Sequence, residues 1–227
     1  MKTQIDDAIA AAEAKAAETP GTDVATQNAG GDLAPAGGAL DMSLTGFLKA
    51  GGISPDKWLQ VKDSGFRIDK GEKAMIEEVE VEINFADVKL FQGLRIQAPG
   101  GKPEYIKTYD GRTEARTGQT WGIAVAEANG RSATPQNPYR GADILMSLTS
   151  DTVQGKTTVP AGTTLGYTTS ITGFGAFQSF LATLIEAGDV SVGQDGQSLS
   201  GKVKVKVLHE AKSSADYEWG ILNFEKA

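Results

Sequence analysis

Alternating apolar and charged residues form the clearest pattern in the chain. Lys202–His209 begins with three lysines interleaved with three valines, which is the period of a half-buried strand. Met75–Phe85 alternates glutamates with valine and isoleucine in the same way, and Tyr217–Phe224 has the composition of a further strand. These three segments predict a sheet with one face packed against a core.

A helical pattern precedes the last two strands. Gly173–Glu186 places its large apolar residues three or four positions apart, so that they share one helix face; they are Phe174, Phe177, Leu181, Leu184 and Ile185. The spacing predicts one amphipathic helix packed on the sheet.

Shorter apolar runs predict further strands at Trp58–Val61, Phe66–Ile68, Tyr105–Tyr109, Ala142–Leu148 and Leu165–Ser170. Ala86-Asp87 predicts a turn that folds Val88–Gln97 back on Met75–Phe85 as a hairpin. Gln119–Ala128 fits two structures, because Trp121, Ile123 and Val125 alternate while the alanines between them permit a helix. We interpret this segment as a strand.

The order of these elements predicts a mainly β (α+β) fold. A helix followed by a closing pair of antiparallel strands is how a five-stranded Greek-key barrel of the OB type ends. We therefore expect residues 41–227 to form a single OB-like antiparallel barrel domain with one packed helix and elaborated loops. Residues 1–18 predict an alanine-rich, flexible N-terminal helix, and residues 19–40 have the composition of a disordered linker.

Composition excludes several classes of function. The chain has no cysteine and one histidine, which excludes disulfides, Cys-type zinc sites and a two-histidine metal site within one chain. No nucleophile-elbow or complete phosphate-loop motif is present. The sequence therefore predicts a protein that is not an enzyme and has no metal or cofactor.

Charge and hydropathy bear on location and partners. The net charge is −7, so no global positive field attracts nucleic acid or anionic lipid. No apolar run approaches the roughly 20 residues needed to span a bilayer. The N-terminus lacks the basic and apolar regions of a signal peptide. We expect a cytoplasmic protein without a membrane partner.

One candidate surface combines aromatic and basic residues. Tyr105, Lys107 and Tyr109 alternate along one predicted strand and therefore share a face. Further members lie in or beside the neighbouring loops; they are Arg112, Trp121, Tyr139 and Arg140. Stacked aromatic rings with nearby cations are how single-strand binders hold nucleic acid. The alternative is that these tyrosines and the tryptophan are partly buried and structural.

The row Lys202, Lys204 and Lys206 also has two interpretations. It could follow the phosphates of a nucleic acid. It could equally pair with Glu78, Glu80 and Glu82 on a neighbouring antiparallel strand, in which case complementary charges would set the register.

The C-terminal 60 residues resemble a known family. The motif Leu199-Ser200-Gly201-Lys202 leads into an alternating strand, and Tyr217–Phe224 forms a final strand with an aromatic residue and an asparagine before Phe224. This arrangement is similar to the end of small bacteriophage-encoded OB-fold single-stranded-DNA-binding proteins. The resemblance implies a role in phage DNA replication or recombination. Where that family often has an acidic C-terminal tail, this chain ends in Glu225-Lys226-Ala227, so the acidic N-terminal segment is the expected contact for replication or recombination proteins.

The sequence thus favours a non-catalytic protein of the host cytoplasm that binds single-stranded nucleic acid, DNA in the first place. The alternative is a phage virion or assembly protein whose β domain makes protein–protein contacts. The oligomeric state, including a homo-oligomer, stays open.

Overall fold

The computed structural model describes residues 52–68, 71, 73–97, 99–196, 198–215 and 217–227. The predictions for residues 1–18, for residues 19–40 and for the start of the domain at residue 41 lie outside the described residues.

The described chain is mainly β. Its strands are β1 (Lys57–Lys62), β2 (Gly65–Ile68), β3 (Glu78–Asn84), β4 (Lys89–Gln97), β5 (Pro103–Thr108), β6 (Tyr139–Leu148), β7 (Thr152–Gln154), β8 (Thr157–Val159), β9 (Thr164–Thr168), β10 (Ser191–Val192), β11 (Leu199–Ser200), β12 (Lys202–Ser213) and β13 (Glu218–Lys226). Its helices are a 3-10 turn at Phe85–Asp87, α1 (Trp121–Arg131) and α2 (Phe174–Glu186). The expected fold class is confirmed at this level.

Nine of the described strands form one mixed sheet, in the order β13-β12-β3-β6-β9-β1-β2, with β4 and β5 attached through β6. All pairs are antiparallel except β1 with β9, so the expectation of a wholly antiparallel sheet is wrong. An isolated bridge between Phe66 and Ile76 brings β2 beside the segment before β3. The sheet is nevertheless not closed into a barrel, and the OB-type barrel is not confirmed.

The predicted antiparallel pairing of the lysine and glutamate strands is confirmed. In the register of β12 and β3, Lys204 lies opposite Glu82 and Lys206 lies opposite Glu80. The alternating valines and isoleucine of both strands are buried on the other face, where they join the main core. The alternation of apolar and charged residues in β3 and β12 therefore determines which face of the sheet is buried and how the two strands are aligned.

The predicted hairpin between β3 and β4 is wrong. The Asn84 side chain accepts a hydrogen bond from the Ala86 amide at 3.4 Å and donates one to Asp87 at 2.7 Å, which stabilises the 3-10 turn. After this turn β4 pairs with β5 and β6, while β12 and β6 flank β3. With both edges of β3 occupied, no position beside it is left for β4.

The main core lies between the large sheet and α2. Phe177 and Leu184 of α2 are buried, as the helical spacing predicted. The Phe177 ring meets the Phe224 ring edge-on at 5.4 Å between centroids, and Phe180 stacks on Phe224 at 5.7 Å. These contacts seat α2 on β13.

A second, smaller core joins α1 to the β4–β5 hairpin. Trp121, Ala124 and Ala128 are spaced by three and four residues and are buried against three residues of the hairpin, Leu94, Ile96 and Ile106. The prediction of a strand at Gln119–Ala128 is wrong, and so is the expectation of a single packed helix. Alanine is a strong helix former, and here small residues let the helix lie close to the hairpin.

Candidate nucleic-acid interface

The β5–β4–β6 part of the sheet has one face covered by α1 and one face that carries aromatic and basic side chains. Side chains alternate along a strand, so the odd-numbered residues of these three strands share a face. Cross-strand pairing aligns Arg95 with Tyr105, Gly93 with both Lys107 and Tyr139, and Phe91 with Gly141. We call this surface the aromatic face; it consists of Lys89, Phe91, Gly93, Arg95, Tyr105, Lys107, Tyr109, Tyr139, Gly141 and Asp143.

Two glycines let the aromatic rings lie against the strand backbone. A Cβ atom at Gly93 would lie 2.9 Å from Cζ of Tyr139 and 3.0 Å from Cε2 of Phe91. A Cβ atom at Gly141 would overlap the Phe91 ring. A glycine inside a strand commonly marks such a close approach. The resulting layer of rings is joined by edge-on contacts of Phe91 with Tyr109 at 6.4 Å and with Tyr139 at 6.2 Å.

A buried carboxylate anchors the centre of the aromatic face. Asp143 is 1 % exposed, and its Oδ2 accepts hydrogen bonds from Lys107 Nζ at 2.6 Å and from the Tyr109 hydroxyl at 2.5 Å. Its Oδ1 accepts one from the Thr168 hydroxyl at 2.6 Å. Burial, the hydrogen bond to Asp143 and the negative charge of Asp143 all raise the pKa of Tyr109. The Tyr109 hydroxyl therefore stays protonated and donates to the carboxylate at neutral pH.

Cations lie over and beside the rings. Lys107 Nζ is 5.0 Å from the Phe91 centroid and 5.3 Å from that of Tyr109, and Lys89 Nζ is 5.7 Å from the Tyr109 centroid. These distances are within the range of cation–π attraction. Arg95 donates through Nε to the Tyr105 hydroxyl at 3.1 Å. The aromatic face thus contains three cations and one carboxylate, in a chain whose net charge is −7.

Four of the predicted site residues belong to the aromatic face: Tyr105, Lys107, Tyr109 and Tyr139. Tyr105 is 55 % exposed, whereas Tyr109 and Tyr139 are half-buried. Burial is the main cause that raises the pKa of Tyr139, whose hydroxyl is therefore also protonated at neutral pH. Tyr105 consequently presents the most open ring for a base to stack on.

Three other predicted residues lie elsewhere. Trp121 is 8 % exposed in the core beneath α1, so its ring cannot stack on a base; the prediction missed the helix that buries it. Arg140 follows Tyr139 on β6 and points to the opposite side, where it lines a cleft with Phe174 and Leu181 of α2. Arg112 is exposed in the loop after β5, and its amide donates to Asp110.

The lysine row of β12 is paired with the acidic row of β3. We call these six residues the charged ladder: Lys202, Lys204 and Lys206 with Glu78, Glu80 and Glu82. Lys206 Nζ lies 2.8 Å from a carboxylate oxygen of Glu78, and Lys202 Nζ lies 3.7 Å from one of Glu82. The hydrogen bond that Lys206 donates to Glu78 is the main cause that raises the pKa of Lys206. The structure supports the pairing interpretation of this row.

Sequence reasoning missed six members of the aromatic face that lie on β4 and β6: the glycines Gly93 and Gly141, and Lys89, Phe91, Arg95 and Asp143. The alternation along β4 already separates Phe91 and Arg95 from Leu94 and Ile96. Asp143 is a charged residue inside an otherwise apolar strand, and such residues are buried only when paired. Both features were visible in the sequence.

Other kinds of site find no support in the described part of the chain. Among the described residues no group of three or more histidine, aspartate and glutamate side chains is placed to hold a metal ion. None of the described helices has the length and hydropathy to cross a bilayer. In comparisons with known proteins, no family model, curated protein or solved structure matches the chain.

Proposed function

We propose that this protein binds single-stranded nucleic acid, single-stranded DNA in the first place, through the aromatic face and without catalysis. The observation that carries the proposal is the exposed Tyr105 ring beside Arg95, on a layer that also contains Tyr139 and Lys107. Single-strand binders combine stacking platforms of this kind with cations that contact the backbone.

Electrostatics restrict where a strand can bind. The chain is acidic as a whole, so attraction to phosphate must come from a local excess of positive charge. The aromatic face has such an excess, whereas the cations of the charged ladder lie among an equal number of carboxylates. The aromatic face is therefore the better candidate of the two.

The finer architecture and the biological setting belong to the same proposal. An OB-type barrel and a role in phage replication or recombination in the host cytoplasm rest on the resemblance of the C-terminal 60 residues. The observed order of α2, β12 and β13 is in keeping with that resemblance. Partner proteins would bind the acidic N-terminal segment.

The test is a titration of fluorescently labelled oligo-dT at low salt, followed by anisotropy. Tyr105→Ala should weaken binding about tenfold, because a stacked base contributes roughly 1–3 kcal/mol. Tyr105→Phe keeps the ring and should bind nearly as wild type does. Tyr217→Ala is the matched control, since Tyr217 is 74 % exposed beside β13, outside the aromatic face.

Two outcomes contradict the proposal. The absence of binding to any single strand at low salt would favour the assembly-protein alternative. Equal losses for Tyr105→Ala and Tyr217→Ala would show that the binding surface lies elsewhere.

A further inference from the structure

A polar cleft of about 400 Å³ opens at one end of the aromatic face. Arg95, Gln97 and Tyr139 line its sheet side, and the loop between α1 and β6 lines the other side. Arg95 and Tyr139 belong to both the cleft and the aromatic face, so a strand stacked on Tyr105 would pass the opening. The inference that follows therefore rests on the proposed function.

The loop that forms one wall is held in place by its own hydrogen bonds. The Asn129 side chain accepts from the Gln136 amide at 2.9 Å and donates to the Gln136 carbonyl at 3.0 Å. The Ser132 hydroxyl donates to the Thr134 carbonyl at 2.8 Å. The cleft is thus formed before any ligand binds, as most small-molecule sites are, and its volume lies in their range of about 300–1,000 Å³.

The side chains of the cleft suit a flat, uncharged ring. Tyr139 and Ile171, which is 57 % exposed, supply apolar surface. Gln97, Gln136 and Asn137 supply amide groups, each of which has one donor and one acceptor side. Gln97 uses one N–H on the Gly101 carbonyl at 2.9 Å and keeps its side-chain oxygen for a ligand.

Charge narrows the ligand class further. Among the described residues that line the cleft, Arg95 is the one charged side chain, and no carboxylate is present. A cationic ligand would meet no counter-ion there. A neutral heteroaromatic ring joined to a phosphate fits the chemistry better, because Arg95 can contact the phosphate while the amides contact the ring.

We propose that this cleft binds one base of the strand, turned out of the stack, and that it prefers adenine. An amide side chain can donate to the N7 acceptor of adenine and accept from its N6 amino group at the same time. Asn137 lines the cleft and is exposed, and its side chain makes no hydrogen bond within the described part of the chain, so its amide group is available for this contact.

The experiment compares oligo-dT with the same oligomer carrying a single central dA, dC or dG. A bidentate amide contact discriminates by roughly 1–3 kcal/mol, so the dA oligomer should bind at least about fivefold more tightly than oligo-dT. Asn137→Ala combined with Gln136→Ala should remove this gain and leave the affinity for oligo-dT unchanged. Gln194→Ala, an exposed glutamine in the loop after β10, is the matched control and should retain the gain.

The outcomes separate this inference from the proposed function. Equal affinity for all four oligomers overturns the base cleft while oligo-dT binding still supports the aromatic face. A gain that survives the Gln136 and Asn137 substitutions also overturns it, and a larger gain for dC or dG overturns the preference for adenine. A failure to bind any of the four oligomers overturns both proposals.

Discussion

The charged ladder and the aromatic face use similar basic residues in different ways. On the charged ladder, Lys202 and Lys206 lie against glutamates of the neighbouring strand. On the aromatic face, Lys107 is paired with the buried Asp143 and lies over the rings of Phe91 and Tyr109, whereas Arg95 contacts a tyrosine hydroxyl. The strands around a cation therefore decide whether it is paired with a carboxylate, as Lys107 and the ladder lysines are, or lies beside an exposed aromatic ring, as Arg95 does. Those neighbours cannot be identified from one strand alone.

The two regions also differ in how deeply they are anchored. The ladder carboxylates are exposed or half-buried, whereas Asp143 at the centre of the aromatic face is buried and has three side-chain partners. Removal of Asp143 should therefore destabilise the protein far more than removal of a ladder carboxylate.

The largest difference is expected for removal of the buried carboxylate. Asp143→Ala leaves the hydroxyls of Tyr109 and Thr168 without their acceptor and Lys107 without its counter-ion. We expect a loss of about 2–3 kcal/mol in the free energy of unfolding, below the value for a fully buried pair because Lys107 can turn to solvent. Urea denaturation measures it, and Glu80→Ala on the ladder is the control. Equal losses of unfolding free energy in Asp143→Ala and Glu80→Ala would contradict the claim that the aromatic face is more deeply anchored than the ladder.

A smaller loss is expected where a ring lies against the backbone. Gly141→Ala places a methyl group within the Phe91 ring, and such overpacking costs about 1–3 kcal/mol. Gly175→Ala in the first turn of α2 has open space around it and should instead stabilise, by less than the roughly 0.5–1 kcal/mol expected in the middle of a helix. Opposite shifts of the two urea midpoints would confirm that the Phe91 ring packs directly on the backbone at Gly141. Two similar shifts would refute this packing.

The next prediction concerns stability in acid beside the aromatic face. Burial acts to raise the pKa of Asp110, but hydrogen bonds from the Thr113 and Arg112 amides and from the Thr113 and Thr108 hydroxyls outweigh it and hold the pKa well below its usual range. A carboxylate with a depressed pKa stabilises the fold above its unfolded pKa of about 3.9, and this contribution is lost as the pH falls. The melting-temperature difference between wild type and Asp110→Ala should shrink from pH 7 to pH 2.5. A melting-temperature difference that stays the same from pH 7 to pH 2.5 would contradict a depressed pKa of Asp110.

The charged ladder should show a smaller effect, at the other end of the pH scale. The pKa of Lys206 is raised mainly by its hydrogen bond to Glu78, so its contribution is fully present below its unfolded pKa of about 10.4 and is lost as the pH rises further. Melting temperatures of wild type and Lys206→Gln should differ slightly and equally at pH 7 and pH 9. They should converge as the pH rises through the raised folded-state pKa of Lys206. A difference that persists there would argue against the ion pair.

Much of the fold could be predicted from the periodicity of apolar residues alone. The strands β3, β12 and β13 and the helix α2 lie where alternation and helical spacing placed them, because each has one face in the main core. The failures have local causes. In Trp121–Arg131 the apolar residues Trp121, Ile123 and Val125 alternate as in a strand, yet the segment forms a helix. The helical spacing of Trp121, Ala124 and Ala128 puts these three residues on one face, which packs on the β4–β5 hairpin.

The candidate site could be predicted only in part. Tyr105, Lys107 and Tyr109 were found because they alternate on one strand. Phe91, Arg95 and Asp143 were missed because they meet those residues through pairing of β4 with β5 and β6, and β4 was expected beside β3. Because β4 was expected to pair with β3, the residues of β4 and β6 were not assigned to the same surface as Tyr105, Lys107 and Tyr109.

The salt dependence of binding tests the central claim most directly. For single strands, each phosphate contact contributes about 0.7 to the slope of log affinity against log salt. Arg95→Gln should make the slope for oligo-dT shallower by about that amount, 0.7. Lys202→Gln combined with Lys206→Gln should leave the slope unchanged. A shallower slope for the ladder variant, with no change for Arg95→Gln, would contradict the account and assign binding to the charged ladder.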